Sequence, residues 1–103
     1  MNVLELYLAS AQSEEACEED AAAILHYLAA FCHSVNGGDF GRAIPLSERI
    51  RQLQLRIGID DQELIALTYS DGLGGTDECR SVLSKLISSN SIEIDDIGKG
   101  DET

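Results

Sequence analysis

The chain has 103 residues, 44% of them apolar, with 19 acidic against 7 basic side chains and a formal charge of −12. One domain fits that length, and its core must be aliphatic, because the chain has three Tyr, two Phe and no Trp. So acidic a chain is repelled by phosphate backbones and anionic membrane surfaces, so nucleic-acid and membrane partners are not expected and a basic protein is the natural complement.

Residues 2–11 predict a short helix, or the first turns of a longer one, with Leu4, Leu8 and Ala11 on one side. The opening MNVLELYLASAQ has no basic n-region and does not read as a secretory signal. Residues 13–35 give the strongest helical signal. Cys17, Ala21, Ile24, Leu28, Phe31 and Val35 form one stripe, and Asn36-Gly37-Gly38 supplies a left-handed stop. Within it, the apolar stretch 21–32 contains His26 and is too short to span a bilayer.

Residues 39–46, DFGRAIPL, read as a connector, with Ser47 as the N-cap of a third helix whose stripe is Leu46, Ile50, Leu53 and Ile57. Gly58 ends it. Asp60 caps a fourth helix carrying Leu64, Ile65, Leu67 and Thr68, which Gly72-Leu73-Gly74-Gly75 breaks. Thr76 caps a fifth, with Asp77 and Glu78 in its first turn and Cys79, Val82, Leu83 and Leu86 as its stripe. Residues 91–97 alternate and could make a short strand, and residues 98–103 a frayed acidic tail. The expected fold is all-α. It is a compact bundle of four to five helices with short Gly-rich loops, one domain over residues 1–90 with an acidic segment at 91–103.

Charge is unevenly placed. Residues 1–35 carry six acids and no Lys or Arg, and five of those acids crowd SEEACEED at 13–20. On a helix Glu14, Glu15, Glu18, Glu19 and Asp20 fan around the circumference and do not converge on one ion. They exceed what a helix start needs, which makes them, with Asp60, Asp61 and Glu63, the expected partner-binding surface. A second line on the same helix, Ala22, His26, Ala29 and His33, offers a seam for a homodimer. The two His are seven residues apart, about 10 Å along a helix, so no metal is expected. No cofactor is expected either.

Cys17, Cys32 and Cys79 are odd in number and irregular in spacing, which predicts reduced thiols in a cytoplasmic protein and not a disulfide framework. Carboxylates around Cys17 and a helix end at Cys32 both oppose a reactive thiolate. DGLGGTDE at 71–78 lacks the ending of a phosphate loop and the ligand pattern of a calcium loop. No catalytic constellation emerges, and the protein is expected not to be an enzyme.

Residues 49–73, RIRQLQLRIGIDDQELIALTYSDGL, resemble the opening of a helix-turn-helix DNA-binding domain. They are also similar to small helical modules at the C-termini of some phage recombination proteins. Either resemblance implies DNA binding, yet the following helix offers only Arg80 and Lys85 to a groove. Arg49, Arg51 and Arg56 are instead expected to pair with the acidic first helices or with another copy. The functional expectation is a binding module that presents acidic helices to a basic protein, as inhibitors, immunity proteins, antitoxins and DNA mimics do. A homodimeric assembly module is the alternative, and a helix-turn-helix-like regulator comes third.

Overall fold

The computed structural model describes residues 2–70 and 72–88. Four helices follow in order, α1 (Val3–Ala16), α2 (Asp20–Asn36), α3 (Phe40–Ile57) and α4 (Asp61–Leu67), and residues 77–88 form a fifth, α5. The all-α bundle read from periodicity is what the chain forms. The strand expected at 91–97 and the acidic tail lie outside the described residues.

The segment 13–35 is two helices and not one. Asn2 opens α1, its side chain accepting from the Glu5 amide at 2.8 Å. Leu4, Tyr7, Leu8 and Ala11 then turn toward the core at helical spacing. After Ala16 the chain reverses. The Glu19 amide donates to the Glu14 carbonyl at 2.8 Å, and the Glu18 amide to the Glu15 carbonyl at 3.0 Å, with Glu18 at φ 62°. That is a Schellman turn with glutamate at the left-handed position where glycine is usual. A left-handed non-glycine residue costs about 1–2 kcal/mol. The stripe drawn through Cys17 and Ala21 fails with the helix, and both residues are exposed. At the other end of α2 the same turn recurs with its usual residue. Gly38 sits at φ 78°, and the Asp39 amide donates to the Ser34 carbonyl at 2.8 Å.

The third helix begins seven residues before the expected Ser47. Asp39 caps it, its carboxylate accepting from the Arg42 amide at 3.2 Å. Ala43, Leu46, Ile50 and Leu53 are all buried, so the apolar face runs unbroken past Pro45, which is exposed. The proline removes one ladder bond. Ser47 lies within the helix and donates its hydroxyl to the Ile44 carbonyl at 2.6 Å. Packing of one continuous face outweighs the proline.

α2 is the spine, with α1 and α3 packed along it. Every residue from Tyr27 to Cys32 is buried, as expected of a helix covered on most sides. Phe31 is fully enclosed, and burying such a side chain contributes about 2–3 kcal/mol. Leu64 of α4 and Cys79, Leu83 and Ile87 of α5 enter the same core.

Asp60 and Thr76 cap α4 and α5 as the sequence predicts. Asp60 accepts from the Glu63 amide at 2.7 Å, and Thr76 from the Cys79 amide at 3.1 Å. Between them the chain passes so close to α4 that a Cβ on Gly75 would lie 2.1 Å from the Thr68 carbonyl oxygen, so no other residue fits.

The expectation of reduced thiols is overturned. Cys32 and Cys79 are disulfide-bonded with a Cα–Cα distance of 5.4 Å, tying α5 to α2, and only Cys17 is free. The tie is reinforced nearby, where Asn36 accepts from the Thr76 hydroxyl at 2.9 Å and donates to the Gly74 carbonyl at 3.0 Å. Among the described residues no helix is long and apolar enough to cross a membrane.

Candidate functional site

The eight acids singled out in the sequence divide by what they touch. Glu15 forms an ion pair with Arg49 of α3, which also donates Nε to the carboxylate at 3.0 Å. Asp20 bonds Arg56 near the end of α3 at 3.2 Å. Glu14 accepts from His26 Nδ1 at 2.5 Å. These three carboxylates are largely covered by the contacts they make, and they clamp α1 and α2 onto the rest of the bundle. Glu18 and Glu19 lie in the exposed turn between α1 and α2, and neither side chain has a bonded partner among the described residues.

The second cluster divides similarly. Asp60 is spent on the α4 cap. Asp61 accepts from Arg51 at 2.6 Å and from Gln54 at 2.8 Å, and Gln54 is itself buried, so this network fixes α4 to α3. Glu63 is exposed, with no side-chain partner among the described residues. The Asp20–Arg56 bond joins the start of α2 to the end of α3, and α4 follows directly after Gly58. Both acidic clusters therefore come to the same end of the bundle. Two helix N-termini, of α2 and α4, point their positive dipoles into that end and offset part of the crowding.

The Gln54 amide, aided by Arg51, holds the Asp61 carboxyl below its ordinary value. An acid depressed in this way adds stability above its unfolded value near 4. That contribution is lost as pH falls through the lower folded value. Half-exposure of the side chain keeps the effect small. The stability gap between the wild type and Asp61→Asn is expected to be present at pH 6 and to narrow steadily below pH 4, as read by urea midpoints at each pH.

Arg49 and Arg56 pair with acids of the first two helices, as expected from the sequence, while Arg51 pairs within its own hairpin. Arg42 pairs with Asp39 and Arg80 with Asp77. Every arginine of the described residues is thus matched by a carboxylate of this chain. Arg80 also lies over the Tyr69 ring at 4.0 Å.

The expected dimer seam is also divided. His33 is exposed and Ala29 is buried. Ala22, His26 and Ala29 border an open groove of about 270 Å³, walled further by Tyr7, Leu25 and Leu73. This groove was not foreseen, because Leu73 reaches it from a loop distant in sequence. The Tyr7 ring is centred 6.5 Å from the His26 ring. Among the described residues no group of three His, Cys, Asp or Glu side chains could hold a metal ion.

No family model, no curated protein and no solved structure matches the chain.

Proposed function

We propose that the protein is a non-enzymatic binding module that presents an acidic helical surface to a basic protein partner, in the manner of an inhibitor, immunity protein, antitoxin or DNA mimic. One observation carries the reading. The arginines are neutralised within the chain, and of the exposed carboxylates left without a partner among the described residues Glu18, Glu19 and Glu63 gather toward one end of the bundle, while Glu5, Glu48 and Glu78 stand apart on α1, α3 and α5. Surplus charge gathered in one place steers association, whereas scattered charge does so weakly. Glu18 adds support, since a carboxylate occupies a left-handed position that glycine would fill at lower energy. The reading does not depend on compartment. The Cys32–Cys79 pairing withdraws the cysteine argument for a reducing cytoplasm.

Capture from a host lysate on immobilised protein tests the proposal. A basic protein should bind at low ionic strength and be released at about 1 M salt, where screening shortens to about 3 Å. Retention of only acidic or neutral proteins, unaffected by salt, would count against it.

A further inference from the structure

We infer that the groove between α1, α2 and the 72–73 turn is the anchor pocket of this acidic surface and receives one large apolar side chain from a basic segment of the partner. The inference rests on the binding-module reading and adds to it the site where the complex is held. Interfaces are commonly steered by charge and held by a few side chains buried in pockets. The groove has that form. Its walls are Tyr7, Leu25 and Leu73, and Ala22 and Ala29 leave room between them. At about 270 Å³ it falls below the roughly 300–1,000 Å³ typical of pockets for drug-sized ligands, and a single side chain suits it better.

The groove borders the acidic end, because Ala22 lies one helical turn beyond Glu19, the residue that opens α2. His26 stands at its border.

Charge selects the occupant. A second copy brings −12, and the chain's own residues 90–103 carry five acids and one Lys. Both are repelled by a surface whose exposed charges include the unpaired carboxylates of Glu18, Glu19 and Glu63, the nearby Arg51 and Arg56 being paired with acids of this chain. A segment with Lys or Arg flanking a Leu or Phe is attracted by the same surface.

Two synthetic helical peptides of equal length and Lys content test this, one with Leu along its second face and one with Ser. Each is titrated against the full chain at low salt by fluorescence anisotropy. The Leu peptide should bind at least about tenfold tighter. Ala22→Phe and Ser70→Tyr fill the groove from α2 and from the loop without changing charge. Each should abolish the preference while far-UV circular dichroism stays unchanged. Glu18→Lys with Glu19→Lys should weaken both peptides. Equal binding of the two peptides, or a preference that survives both filling variants, overturns the anchor but leaves the acidic-surface reading standing. Binding of neither peptide overturns both. Self-association of the wild type that Ala22→Phe abolishes would give the groove to a second copy and overturn the basic occupant.

Discussion

Removing the Cys32–Cys79 bond, by Cys32→Ala with Cys79→Ala or by reductant, is expected to lower the unfolding free energy by about 4 kcal/mol. The bond joins residues 47 apart in sequence. Cross-linking a loop of that size restricts the unfolded chain by about 4 kcal/mol on the chain-entropy account. It also holds α5, whose Cys79, Leu83 and Ile87 complete the core. Domains of this size are stable by roughly 5–15 kcal/mol in all, so the loss is a large fraction. Urea unfolding with and without reductant measures it. The reduced protein should unfold at a clearly lower midpoint, and the wild type should carry one alkylatable thiol, Cys17, until it is denatured and reduced. Equal midpoints would show that α5 is held by packing alone.

Phe31→Ala is expected to cost about 3–5 kcal/mol. The ring is fully buried at the middle of α2, the one helix that both α1 and α3 pack along. The ring is enclosed on every side, so truncating it leaves a cavity in the core. Thermal or urea denaturation of the variant gives the value, and a cost below about 1.5 kcal/mol would mean that the core is looser than its burial indicates. Little stability should be at stake at the acidic end. Glu18, Glu19 and Glu63 bond nothing with their side chains among the described residues, so fold and charged surface are separable by mutation.

Local signals made much of this fold legible in the sequence. Asp60 and Thr76 are residue types that cap helices, and they cap helices here. Ile24, Leu28, Phe31 and Val35 mark the buried side of α2 at helical spacing. Two boundaries were hidden for the same reason, which is that tertiary context decided them. Glu18 takes a left-handed conformation that ordinarily announces itself by glycine. Pro45 normally signals a break, yet the face of Ala43, Leu46, Ile50 and Leu53 continues through it. The disulfide was illegible because pairing depends on how α5 returns to α2, and spacing alone does not encode that.

The candidate surface was legible only as a surplus of charge. Five neighbouring acids in SEEACEED cannot be sorted by sequence, since Glu14 and Glu15 look like Glu18 and Glu19. Sorting requires knowing that Arg49 reaches Glu15, that Arg56 reaches Asp20 and that His26 reaches Glu14. With that known, reversing all of SEEACEED would confound binding with folding, and a narrower substitution separates them.

The direct test is the triple variant Glu18→Lys, Glu19→Lys, Glu63→Lys, titrated calorimetrically against the captured basic partner. Affinity should fall by about 100-fold or more, because like charges then face each other across the interface, while the urea midpoint stays at the wild-type value. Unchanged affinity in a folded variant would contradict the account, since the uncompensated carboxylates would then play no part in binding.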